Sequence, residues 1–176
     1  MKKYFDLKEL QPDANQPVNS SLRTAARSFQ KASLAGKYYE SFNVNSKNYM
    51  ETSAGTRAWI AEYLRQLNRC VSSAKGCDPA EVCEAVDILF GLLDHIDECL
   101  DDVIFFADEG GSWQVGVDWA NVLPVWFKAL SATAEPDEYA KRIKDVLSDH
   151  YSFGRDKMLA LARRTATPEQ RKALEA

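Results

Sequence analysis

The chain has 176 residues, of which 45% are hydrophobic, 27% charged and 11% aromatic, and its net charge is −4. That length suits a single domain with a core large enough to fold without disulfides or a structural metal. Eight glycines and six prolines exclude collagen-like and disordered classes, and no apolar run approaches the roughly 20 residues of a membrane span. The first ten residues carry lysines but no apolar stretch, so neither a secretory leader nor a membrane attachment is expected, and the cytoplasm is the expected compartment.

In chain order, residues 1–20 read as an N-terminal arm and residues 21–176 as one all-α helical domain. Ser20 or Ser21 caps a first helix to about Ala35, with Leu22, Ala25, Ala26, Phe29 and Ala32 on one face. Residues 36–52 are polar and rich in Asn, Ser and Tyr, a loop signature. Trp59, Ile60, Tyr63, Leu64 and Leu67 then follow helical spacing over 56–72. Asp78-Pro79-Ala80-Glu81 is a helix start, with Asp as cap and Pro in the first turn. From it, Val82, Val86, Leu89, Leu93, Ile96, Leu100 and Val103 form a heptad seam on a helix of about 25 residues. Gly91, inside that helix, reads as a point of close helix contact.

Asp108-Glu109-Gly110-Gly111-Ser112 breaks the pattern, and the alternation of Trp113, Val115 and Val117 predicts an extended segment or wide turn. Asp118 caps a helix from Trp119 to about Thr133 with Pro124 inside it, and Glu135-Pro136 opens another to about Asp149. Residues 154–165 are helical, and Thr167 with Gln170 forms a capping box for the last helix. The expected fold is all-α: six to seven helices stacked as antiparallel pairs, resembling a helical-repeat bundle, with one long central acidic helix. The four cysteines (70, 77, 83 and 99) form no CxxC pair and are expected as reduced thiols; Cys70 and Cys77, flanking a turn, are the one pair placed to bridge.

Charge is distributed unevenly. Residues 1–75 carry net +6, residues 76–127 net −12 with no Lys or Arg, and residues 128–176 net +2. Asp87, Asp94, Glu98 and Asp101 fall in one stripe beside the seam, and Asp97, Asp102, Asp108 and Glu109 widen it towards the helix C-terminus. Carboxylates there oppose the helix dipole at about 0.3–1 kcal/mol each, and like charges at i, i+4 add a few tenths more. Three agents offset such a cost: the chain's own basic residues, a basic partner, or a divalent cation. The expected function is a non-enzymatic protein-interaction module. Its acidic face, with Trp113 as an aromatic anchor, binds a basic protein partner; a mimic of nucleic-acid charge is one form of this. A homodimer through the heptad seam is a second expected contact.

An enzymatic alternative rests on Glu81-Val-Cys-Glu84 and Glu98-Cys-Leu-Asp101, which resemble the metal-binding pattern of all-α nucleotide pyrophosphohydrolases. That resemblance implies four carboxylates holding Mg²⁺ over a nucleotide phosphate. On one straight helix Glu81 and Glu98 are about 25 Å apart, so a shared ion requires a break near Gly91 or two chains. His95 and Cys99 share a helix face, but no second ligand pair accompanies them, so no metal or other cofactor is expected. Lys37-Tyr38-Tyr39 and Lys47-Asn48-Tyr49 interleave basic and aromatic residues, yet the charge density is ordinary. Direct nucleic-acid binding is therefore not expected, and these rings are expected to pack on helices.

One further likeness spans Leu22–Arg164. A Leu22-Arg23 helix, the Trp59–Leu67 helix, an acidic helix ending at Asp101-Asp102, the Asp108-Glu109-Gly110 break and the Ala134–Glu138 helix start occur in this order. The arrangement resembles the TPR- or HEAT-like helical repeat region of uncharacterised bacterial proteins, some of which carry SWIM-type zinc fingers. The resemblance implies stacked helix pairs used for protein contacts, and it implies no catalytic residue. The chain departs from it by lacking a zinc-finger Cys/His set and by its Trp113–Trp119 segment.

Overall fold

A computed structural model describes residues 20–98, 102–107, 111–151 and 154–176; the N-terminal arm lies outside this range. Ser21 opens α1 (Leu22–Leu34), its hydroxyl oxygen accepting the Thr24 N–H at 3.2 Å. Ser53 does the same for α2 (Ala54–Ser73), accepting from Thr56 at 3.0 Å. Then follow α3 (Pro79–Glu98), α4 (Trp119–Ser131), α5 (Pro136–Asp149), α6 (Arg155–Thr165) and α7 (Pro168–Glu175). The capping box is present on α7: Gln170 N–H reaches Thr167 Oγ1, and Thr167 N–H reaches Gln170 Oε1. Among the described residues the chain is all-helical, apart from one isolated antiparallel bridge, Thr52 to Phe106.

The core forms around α3, whose Val82, Val86, Leu89, Leu93 and Ile96 are buried against the chain's own α1, α2 and α4. Trp59 stacks on Tyr63 (centroids 4.9 Å apart) and donates from its indole N–H to Ser33 Oγ at 2.8 Å, fastening α2 to α1. The Tyr63 hydroxyl donates to the Leu89 carbonyl at 2.9 Å, fastening α2 to α3. Burial of Tyr63 raises its phenol pKa well above the ordinary value, so it stays a donor.

Side-chain contacts fix the directions of the helices. Arg23 and Arg27, early in α1, meet Glu84, early in α3, so these two run the same way. Arg69, late in α2, reaches the Ser20 carbonyl, so α2 runs opposite. Trp119 packs on Phe90 while Trp126, further along α4, bonds Asp87, so α4 runs opposite to α3. Arg142 and then His150 meet Asp87 and then Asp94, so α5 runs with α3. The end of α1 and of α3 and the start of α2 and of α4 therefore share one end of the bundle.

Several expectations are corrected. The described α3 is a 20-residue helix ending at Glu98; Leu100 lies outside the described residues, and Val103 is buried in the non-helical segment that follows. The described seam residues Val82, Val86, Leu89, Leu93, Ile96 and Val103 are buried in the chain's own core. Gly91 makes no close helix contact: it is exposed, and nothing lies within 4 Å of where a Cβ would stand. Residues 112–115 form neither a strand nor a wide turn but a short 3₁₀ helix, because three alternating residues without a pairing partner cannot hold a strand. Gly116 ends that turn at φ +72°, a conformation that glycine adopts without strain.

Cys70, Cys77 and Cys83 are free thiols, and Cys99 lies outside the described residues. Burial pushes Cys70 up to about 12 and Cys83 to about 11, which leaves both as inert packing groups. No described helix is long and apolar enough to cross a membrane.

Candidate functional site

The acidic face of α3 is largely engaged within the molecule. Glu84 accepts from Arg23 at 2.8 Å and from Arg27, and these guanidinium hydrogen bonds hold its carboxyl below the ordinary carboxylate value. Asp87 pairs with Arg142 and accepts the Trp126 indole N–H at 2.9 Å. Arg142 also reaches Glu138 at 3.3 Å and lies over the Trp126 ring. Asp94 meets His150 Nε2 at 2.8 Å. That imidazole stacks beside Trp119 with its side chain 3% exposed, and its Nδ1 finds no partner among the described residues. Asp97 accepts both the N–H (2.7 Å) and the hydroxyl (2.6 Å) of Ser112, and Asp102 bonds His95 Nε2 at 2.7 Å.

The expectation of a bare acidic flank is thus corrected at Asp87, Asp94, Asp97 and Asp102. The physical reason is the repulsion already visible in the sequence: carboxylates one turn apart are stabilised when each finds its own donor. The partners come from across the chain: α1 (Arg23 and Arg27, on Glu84), α3 itself (His95), the 3₁₀ turn (Ser112), α4 (Trp126), and α5 with its C-cap (Arg142, His150). Glu98 is exposed at the end of α3, while Asp101, Asp108 and Glu109 lie outside the described residues.

The carboxylate set of the enzymatic alternative is not brought together. Helix α3 runs unbroken through Gly91, which leaves Glu81 and Glu98 about 25 Å apart along its axis. Glu84 is held by two arginines, and Asp101 lies outside the described residues. Among the described residues no three His, Cys, Asp or Glu side chains are grouped to hold a metal ion. His95, the candidate zinc ligand, faces Asp102, and Cys99 lies outside the described range.

The end of the bundle where α3 stops carries a different feature. The loop before α2 and the 3₁₀ turn enclose an open groove of about 230 Å³ between Tyr49, Met50, Thr52, Phe106, Trp113 and Gln114, with Glu51 on its wall. Its floor is fixed by the Thr52–Phe106 bridge and by Thr56 Oγ1, which donates to the Phe105 carbonyl and accepts the Phe105 N–H. Its outer loop is folded by asparagines. Asn48 Oδ1 accepts the Asn45 N–H at 2.7 Å, Asn45 Oδ1 accepts the Lys47 N–H at 2.8 Å, and Asn48 Nδ2 donates to Asn43 O at 2.9 Å. Such side chain–backbone bonds are what make an Asn-rich stretch a defined turn.

Trp113 is 75% exposed and Met50 74% exposed, and both line this groove. The five large hydrophobic residues exposed among those described (Leu34, Val44, Tyr49, Met50 and Trp113) all stand on segments at this end. Of these, the sequence singled out Trp113. Tyr49 was expected to pack on a helix and instead stands in the open, whereas Tyr38 does pack, edge-on to Phe29. Met50 and Phe106 carried no signal beyond being apolar residues next to turn-forming ones.

No protein-family model matches the chain, and no curated protein and no solved structure matches it either.

Proposed function

We propose that the chain is a non-enzymatic protein-interaction module and that it grips a basic partner at the end of the bundle where α3 stops. The observation that carries this reading is the concentration of exposed apolar side chains there, Met50 and Trp113 above all, beside the acidic terminus of α3. Large apolar residues left in water around a concave site mark an interaction surface, since burying them is favourable and they contribute nothing to the fold while exposed. Among the described residues, negative charge at this end comes from Glu51 on the groove wall and from Glu98, exposed at the end of α3. A field of that sign favours Lys- and Arg-bearing segments and speeds their encounter. The resemblance to helical-repeat regions points the same way. A mimic of nucleic-acid charge is a narrower form of the same module, with a nucleic-acid-binding protein as partner.

Selection from a random peptide library on the immobilised protein tests this. The expected winners carry net positive charge and at least one large apolar residue, bind less tightly at high salt, and fail to enrich on a Trp113→Ala, Met50→Ser variant. Enrichment of acidic peptides, or equal enrichment on the variant, overturns it.

A further inference from the structure

An exposed tryptophan on a loose loop folds down onto the nearest apolar surface or moves freely; the backbone that carries Trp113 is not loose. Its turn is fixed on three sides. Both oxygens of Asp97 are spent on Ser112, the residue immediately before it, one on the N–H and one on the hydroxyl. Val115, two residues on, is 2% exposed and sunk in the core. Gly116 closes the turn, its N–H bonded to the Trp113 carbonyl at 3.3 Å. Gly111 fits beneath this clasp with no room to spare: a Cβ there would sit 3.0 Å from Asp97 Oδ1.

We infer that Asp97 is a positioning residue, not a charge offered to the partner: it clasps Ser112 so that Trp113 stands pre-ordered on the lip of the groove. The inference rests on the docking reading above and assigns that site its mode of action. The ring is an anchor whose ordering is completed during folding, so the partner does not lose affinity in freezing it. The partner this fits is a basic segment that places one apolar side chain in the groove lined by Met50 and Trp113. Asp97 and its neighbour Glu98 then have separable roles although both are carboxylates at the end of α3. Glu98 acts at a distance through charge, and Asp97 acts through two short hydrogen bonds.

The test compares Asp97→Ala, Ser112→Ala and Glu98→Ala in protein labelled with 5-fluorotryptophan. The Trp113 resonance is identified as the ¹⁹F line missing from Trp113→Phe. In the unaltered protein that line has the width of an ordered site. It narrows in Asp97→Ala, narrows less in Ser112→Ala (which keeps the N–H bond), and is unchanged in Glu98→Ala. The lines of the buried Trp59 and Trp126 stay put in all three and report that the fold is intact. With a basic peptide taken from the selection above, Asp97→Ala weakens binding about three- to tenfold at low and high salt alike, the change that ordering one side chain accounts for. Glu98→Ala weakens it at low salt alone. If Asp97→Ala leaves the Trp113 line unchanged, or follows Glu98→Ala in its salt dependence, the clasp is not a positioning device. Should no basic peptide bind the unaltered protein, the docking reading fails by itself, and the line widths still decide whether the clasp orders Trp113.

Discussion

Arg142 shows at the scale of one residue how this chain manages its acidic centre. One guanidinium pairs with Asp87, reaches Glu138 and covers the Trp126 ring, so a single side chain ties α5 to α3 and α4. Replacing it by Met keeps some of the apolar stem but leaves Asp87 with the Trp126 N–H and the weak Cys83 thiol contact. The expected cost is about 1–3 kcal/mol, read from urea denaturation; a loss under about 0.5 kcal/mol would mean that water replaces the guanidinium. Glu84 carries a pH signature. Hydrogen bonds from Arg23 and then Arg27 lower its pKa from an ordinary 4.5. A carboxyl lowered in the folded state contributes stability above its unfolded value and loses that contribution as pH falls through the folded one. Glu84→Gln should therefore melt below the unaltered protein at neutral pH, and the gap should close as the pH falls below the ordinary carboxylate range and through the lowered folded value. A gap that persists in acid would assign the effect to packing.

Two glycines at the scale of the helix predict opposite outcomes. Gly91 sits in the middle of α3 with open space around it, so Gly91→Ala should stabilise the protein by about 0.5–1 kcal/mol through helix propensity. Gly55 opens α2 with its N–H bonded to Glu40 Oε2, and a Cβ there would lie 2.2 Å from the Tyr38 carbonyl oxygen. Gly55→Ala should thus cost about 1–3 kcal/mol as the loop is pushed away. Thermal melts of the two variants check both signs. Most of the helices were legible in the sequence because they carry their own local signals, although Asp118, the expected cap of α4, makes no side-chain cap bond. Ser21, Ser53 and Thr167 accept first-turn N–H groups, Pro79, Pro136 and Pro168 stand at first helical positions, and the apolar spacing from Val82 to Ile96 repeats at helical period. What could not be read there is long-range. Whether Gly91 meets another helix depends on where α4 comes to lie, and whether the seam is free depends on what α1 and α2 cover. The ion-pair partners of Asp87 and Asp94 are Arg142 on α5 and His150 at its C-cap, some 55 residues downstream, a pairing that no local pattern encodes. Met50 likewise became visible as part of a site only when the 49–52 loop and the 112–115 turn were seen to face each other.

The whole molecule separates two uses of negative charge along α3. Through the body of the bundle, at Glu84, Asp87 and Asp94, carboxylates meet basic partners of the same chain and serve the fold. At the end of α3 Asp97 holds Ser112, and Glu98 is exposed and, on the proposed reading, available to another molecule. The central claim is therefore a claim about place: the end of the bundle binds, and the flank of α3 does not. Titrating ¹⁵N-labelled protein with a selected basic peptide, and following each backbone amide by NMR, measures that directly. The predicted outcome is a compact set of shifts at Tyr49–Thr52, Phe106 and Ser112–Gln114, with the amides around Glu84 and Asp87 unmoved. Shifts centred on Glu84 and Asp87, or on α6 and α7, would contradict it.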